Sequence, residues 1–229
     1  MSKIDTIIVS DVHLGSEVSR AKELLNVLKS RSFGRLILLG DIFDDLNFNH
    51  LERDHWELLS YIQELSNPKS NIEIVWVLGN HDELIFKVIS RFIGIKVFQE
   101  YIWNYKNEKY LAIHGHQFDR FLADNKLISD IASFIYRILQ RFDLRFSRFV
   151  KRASKKWLRL SEKIAQGAAR HALKKDAHYV FCGHTHREAT EIIGGVYYFN
   201  VGCWTDIPSV FITIGEDGIK VYKKWKINK

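Results

Sequence analysis

Five short polar motifs in this chain each sit directly after an apolar run. Asp11-Val12-His13 follows Ile7-Ile8-Val9-Ser10, and Gly40-Asp41 follows Leu36-Ile37-Leu38-Leu39. Gly79-Asn80-His81-Asp82 follows Val75-Trp76-Val77-Leu78. His114-Gly115-His116 follows Tyr110-Leu111-Ala112-Ile113, and Gly183-His184-Thr185-His186 follows Tyr179-Val180-Phe181-Cys182. Imidazole suits Fe, Zn, Ni or Cu, and carboxylate oxygen suits Mn and Mg, so the mixture points to Mn²⁺, Fe²⁺, Zn²⁺ or Co²⁺. A single bridging carboxylate holds two such ions about 3.5–4 Å apart, the separation used for in-line phosphoryl displacement. A hydroxide shared by the pair would be the nucleophile. One such histidine alone reads equally as a surface or core residue. Five motifs at run ends read as one metal centre.

Motifs at run ends need a frame that gathers the ends. Ile4 to Ser10, Leu36 to Leu39 and Ile72 to Leu78 read as buried strands, with helices over Ser19 to Arg31 and His50 to Leu65 between them. That order predicts an α/β fold with parallel strands and helices packed on the sheet. Ligands in such sheets collect at the carboxyl ends of strands. Residues i and i+2 of an extended chain project to one side, which would bring Asp11 with His13, and His184 with His186, to one centre. Glycines 40, 79, 115 and 183 are expected to permit tight turns there.

Short strands follow at Lys96 to Gln99, Ile102 to Tyr105 and Tyr110 to Ile113. Phe121 to Leu173 carries no strand signal and reads as two or more helices. Strands resume at His178 to Cys182, Ala189 to Ile193, Val196 to Phe199, Val210 to Ile214 and Ile219 to Trp225, with Gly194-Gly195 and Asp217-Gly218 as hairpin turns. The expectation is a single domain over 1–229 with a helical insertion at about 120–175.

The net charge of +7 is unevenly spread. Between Arg137 and Lys175 thirteen Lys and Arg face two acids, so the rest of the chain is net negative. Arg137, Arg141, Arg145, Arg148, Arg152, Lys156, Arg159 and Lys163 recur at helical spacing, interleaved with apolar residues such as Phe142, Phe146 and Trp157. This reads as a basic amphipathic surface for anionic lipid. The plainer reading is a solvated face over a core. The scarcity of acids favours the former, because ordinary solvated faces mix signs.

The two cysteines, Cys182 and Cys203, have no CxxC spacing, and a chain of this length needs no disulfides. A reducing, cytoplasmic setting is expected. The apolar run at residues 6–9 is too short for a secretory signal, and no run approaches the roughly 20 apolar residues that span a bilayer. Membrane contact would be peripheral, on the inner face.

The ordered set Asp-x-His, Gly-Asp, Gly-Asn-His-Asp, His and Gly-His-x-His resembles the calcineurin-like metallophosphoesterases. The resemblance implies a four-layer α/β/β/α sandwich of two mixed sheets between helices. It implies two divalent ions, Mn²⁺ foremost. Asp11, His13 and His186 would hold the first, Asn80, His114 and His184 the second, and Asp41 would bridge. His81 would contact the phosphate or protonate the leaving oxygen, with Asp82 orienting its imidazole. A basic helical lid over such a site is similar to the UDP-2,3-diacylglucosamine pyrophosphatases of lipid A synthesis. That likeness implies a nucleotide-linked lipid substrate, with UMP and a 2,3-diacylglucosamine 1-phosphate as products. Arg137, Arg141, Arg145 and Arg148 would meet phosphates. Two positions depart from that subfamily, which has arginine at the place of His81 and aspartate at the place of His116.

His116 reads as a substrate contact, an outer group or a rim residue. Asn200 and Trp204 would line the pocket or serve turn and packing roles. Asp44 is expected to fix the loop, and His50 and His55 to lie on the surface. Three other readings stand beside the lipid one: a soluble nucleotide phosphodiesterase or phosphatase, a nuclease whose basic helices track nucleic acid, and a non-catalytic membrane-binding protein.

Overall fold

A computed structural model describes residues 4–45, 47–82, 95–119 and 155–225. In chain order the elements are β1 (Ile4–Val9), α1 (Ala21–Lys29), β2 (Phe33–Leu39), α2 (Arg53–Leu65), β3 (Glu73–Val77), β4 (Lys96–Phe98), β5 (Glu100–Tyr105) and β6 (Glu108–Ile113). They continue as α3 (Lys155–Lys174), β7 (Tyr179–Cys182), β8 (Ala189–Ile193), β9 (Val196–Asn200), β10 (Ser209–Gly215) and β11 (Gly218–Lys224). One sheet has the order β11-β10-β1-β2-β3-β4 and the other β5-β6-β7-β9-β8. Strands β1 to β4 run parallel, and so do β6, β7 and β9. Antiparallel partners close the outer positions.

Side-chain alternation builds the layers. Leu36 and Leu38 of β2 join Ile7 and Val9 of β1 beneath α1 and α2, where Leu24, Leu28, Leu58 and Ile62 are buried. The alternate residues Ile8, Ile37, Leu39, Val75 and Val77 face the second sheet and meet Trp103, Tyr110, Phe181 and Phe199. Strands covered on both faces read as unbroken apolar runs, which is why β1 to β3 were legible. The outer face of the second sheet is covered by α3 through Ala165, Ala168, Ala169 and Ala172, all buried. The small side chains let the helix sit close to the strands.

The architecture is therefore the expected α/β/β/α sandwich, with two corrections. First, residues 155–174 of the expected insertion form the fourth layer on the second sheet, with Trp157 near the start of the helix bonded to the Thr185 carbonyl. Arg159 and Lys163 are exposed on this helix. Arg137, Arg141, Arg145, Arg148 and Arg152 lie outside the described residues. Second, His55 is 4% exposed. Its Nδ1 accepts from the backbone N–H of Glu52 (3.1 Å) and of Gly15 (3.3 Å), so it fastens the start of α2 to the loop after β1. His50 is exposed as expected. His171 and His178, which no motif singled out, pair with Glu100 and Glu108.

Candidate metal centre

The parallel strands of both sheets deliver their carboxyl ends to one place, and the loops there are stitched together. Asp11 N–H donates to the Gly40 carbonyl (3.1 Å) and His13 N–H to the Asp41 carbonyl (3.0 Å). Gly183 N–H donates to the His114 carbonyl (3.0 Å), joining β6 and β7. His184 N–H donates to Asp11 Oδ2 (3.0 Å), which ties the two sheets together across the site. The loops approach so closely that a Cβ at Gly79 would collide with Asp41, and one at Gly183 with Ser10 and Asp11.

The ligand pairs do not converge by strand alternation, as expected from their spacing. Asp11, His13, Asp41, His184 and His186 all lie past their strands with φ between 49° and 66°. This is the left-handed region, which non-glycine residues enter at a cost of roughly 1–2 kcal/mol each. Five such residues at one site, held by the interloop hydrogen bonds above, are strain concentrated where function needs it.

Two sets of donors result, each with ligand atoms within 4.8 Å of one another: Asp11, His13 and His186, and Asp41, His114 and His184. The first has the members of the first implied triad, and the second brings His114 and His184 together with Asp41, the residue expected to bridge. Asn80 is exposed on the turn after β3. A third set joins His13, Asp44 and His81. Asp44 holds His13 by an Oδ1 to Nδ1 contact of 3.0 Å, and its carbonyl accepts from His81 Nδ1 at 2.6 Å.

The electrostatics fit cations. Asp11, Asp41, Asp82 and Asp119 are all buried here. Burial works against charge on Asp11, yet the neighbouring His186 holds its carboxyl at about 2. Burial likewise opposes charge on Asp41, and His114, His81 and His13 hold it well below the usual carboxylate range. Burial would push His114 down, but Asp41 and Asp11 push it up to about 10. Carboxylates this strongly ionised draw positive charge, which imidazolium or a metal ion supplies. Asp11 Oδ1 and His114 Nε2 are buried and make no hydrogen bond, a donor arrangement that suits metal ligation. The mixed N/O set therefore fits divalent ions of the Mn, Fe, Zn and Co type.

Other residues take different places. Asp82 does not orient His81. Its carboxylate accepts from the backbone N–H of Ile42 (3.2 Å), Phe43 (3.3 Å) and Gly79 (3.3 Å) and from Trp76 Nε1 (3.3 Å). Burial and then Asp41 raise its pKa against these bonds. The Asp44 carbonyl orients His81 instead. Asn200 is 1% exposed and donates to the Gly183 carbonyl (2.8 Å), so it braces the loop from below and presents no face to a pocket. Trp204 is fully buried as a packing residue. His116 is half-buried, its ring 5.5 Å from that of His114 and 6.3 Å from that of His184. Burial, with those two histidines, lowers its pKa to about 3, so it is a neutral group beside the centre. Sequence reasoning missed Asp119, whose Oδ2 lies 3.3 Å from His184 Nε2. It also missed Trp157, whose Nε1 donates to the Thr185 carbonyl at 3.1 Å.

The calcineurin-like phosphoesterase superfamily domain matches residues 4–211. Over 92% of its length the chain is 25% identical to 94% of a UDP-2,3-diacylglucosamine hydrolase from Neisseria gonorrhoeae (strain ATCC 700825 / FA 1090). Its fold is shared with a novel archaeal phosphodiesterase, at 13% identity and a TM-score of 0.53 over 95% of this chain and 98% of that one. It is shared too with Yfce, a phosphoesterase from E. coli, at 15% identity and a TM-score of 0.52 over 93% and 90% of the two chains. The matched family, the sandwich and the two donor sets agree, and the chain belongs to the calcineurin-like phosphoesterase superfamily as a metal-dependent hydrolase.

Proposed function

We propose that this chain hydrolyses the pyrophosphate bond of UDP-2,3-diacylglucosamine, releasing UMP and a 2,3-diacylglucosamine 1-phosphate at an anionic membrane surface. The observation that carries this reading is the near full-length likeness to a hydrolase of that substrate, in a chain whose two donor sets are complete. Asp11, His13 and His186 would hold one divalent ion, and Asp41, His114 and His184 with Asn80 a second, Mn²⁺ foremost. When bound, such a pair polarises phosphoryl oxygens and makes a hydroxide available at neutral pH.

The chain's own groups supply the rest. His81 donates Nδ1–H to the Asp44 carbonyl, and with the ring protonated at both nitrogens its Nε2–H would meet the phosphate or pass its proton to the leaving oxygen. Its backbone N–H donates to Asp41 Oδ1 at 3.0 Å, so the position of His81 follows that of the Asp41 carboxylate. Asp82 holds the Asp41 and Gly79 loops in register. No described helix is long and apolar enough to cross a membrane. The basic residues at 137–152 would supply the contact with the membrane surface.

The test is UMP release from UDP-2,3-diacylglucosamine in mixed micelles by Mn²⁺-loaded protein, with Asp41→Ala as control. Release by the wild type and none by the variant is the expected result. Asp41-dependent cleavage of a generic phosphodiester without UMP release would keep the hydrolase and discard the lipid substrate in favour of a nucleotide.

A further inference from the structure

His13, His114 and His186 each turn Nδ1 to a protein group outside the two donor sets and Nε2 to a neighbouring donor. His13 commits Nδ1 to Asp44 Oδ1, and its Nε2 lies 3.2 Å from His186 Nε2. His114 commits Nδ1 to the Leu39 carbonyl (3.0 Å), and its Nε2 lies 3.3 Å from Asp41 Oδ2. His186 turns Nδ1 toward Thr205 Oγ1 (3.4 Å) and Nε2 toward Asp11 Oδ1 (3.2 Å). His184 is reversed: the nitrogen in contact with the protein is Nε2, 3.3 Å from Asp119 Oδ2.

Asp119 is placed to impose that reversal. It is 2% exposed and closes the short turn at His116–Phe118, its N–H donating to the His116 carbonyl at 3.0 Å. The backbone of His184 is separately pinned at φ 66° and by its N–H to Asp11 Oδ2, so only the ring torsions remain to be chosen. A carboxylate accepting from one ring nitrogen sets the tautomer, turns the other nitrogen to the metal and makes it a better donor.

We propose that Asp119 is a positioning residue for His184: it accepts Nε2–H, and Nδ1 is thereby the nitrogen offered to the ion held with Asp41 and His114. The proposal rests on the dinuclear reading above and is independent of the substrate.

The experiment is an Mn²⁺ titration of the wild type, Asp119→Ala and Asp119→Asn, with free Mn²⁺ counted by electron paramagnetic resonance. Thermal unfolding checks that each variant is folded. The wild type should bind two ions. Asp119→Ala should weaken one site about 10–100-fold and leave the other unchanged. Asp119→Asn keeps an acceptor oxygen and the side-chain volume, so it should recover most of that loss. Unchanged affinity at both sites of Asp119→Ala, or equal weakening of both, overturns the proposal. A wild type that takes up no Mn²⁺ overturns the dinuclear reading together with it, so the two failures are told apart.

Discussion

At the residue scale, chemistry and support are divided among neighbours. His81 and Asp82 are adjacent in sequence, yet one turns to the open side and the other into the interloop hydrogen bonds. Their substitutions should separate. His81→Gln should lower kcat by about 10²–10⁴-fold, the usual worth of a positioned proton donor, with two Mn²⁺ still bound. Steady-state kinetics beside a metal titration measures this. Asp82→Ala should act on stability, because four donors lose their acceptor and each stranded buried donor costs about 1–3 kcal/mol. Urea unfolding should show a loss of at least about 3 kcal/mol, and an unchanged midpoint would refute the structural role. Gly183→Ala drives a methyl into Ser10 and Asp11. It should cost metal affinity at the site of Asp11, His13 and His186, read by the same titration.

At the scale of elements, each ligand loop is placed by the strand before it, and the loops are held by hydrogen bonds to one another, with His184 N–H to Asp11 crossing between the sheets. The fourth layer depends on polar contacts as well as on its alanine face. Glu100 of β5 binds Lys175 Nζ at 2.7 Å and His171 of α3, fastening the end of that helix to the sheet edge. Burial pushes the Glu100 carboxyl up, but the hydrogen bonds from Lys175 and His171 outweigh it and its pKa is lowered. A group with a lowered folded pKa contributes stability above the unfolded carboxylate value, about 4.3, and loses it as pH falls through the folded value. The urea midpoint of Glu100→Gln should therefore lie below that of the wild type at neutral pH. The gap should close as pH falls below about 4. A gap that persists in acid would show that the substitution acts through packing.

At the scale of the whole molecule, the metal centre is where the two sheets are joined at one end. Anything that binds the folded centre and not the unfolded chain stabilises the whole, by about 2.7 kcal/mol at one hundred times Kd. Mn²⁺ should raise Tm by several degrees and EDTA should reverse it. Asp41→Ala should abolish the shift. Scanning calorimetry of both proteins with and without metal tests this.

The sequence alone determined the ligand types, their order and the strand that precedes each motif. Apolar runs covered on both faces are visible without coordinates, and so are histidines and aspartates at their ends. It also carried the family and the sandwich. What it left open depends on torsion angles and on residues far apart in the chain. The left-handed backbone at Asp11, His13, Asp41, His184 and His186 replaces the strand alternation their spacing suggested. Asp82 reaches Ile42 across 40 residues, and Asp119 reaches His184 across 65. His55 looked like a surface residue because its partners are backbone N–H groups, one of them in a distant loop, which leave no mark on side-chain pattern. The basic stripe of the expected insertion continued onto a helix whose alanine face packs on the second sheet. Periodicity shows that a helix has two faces, and only the tertiary structure decides what each face meets.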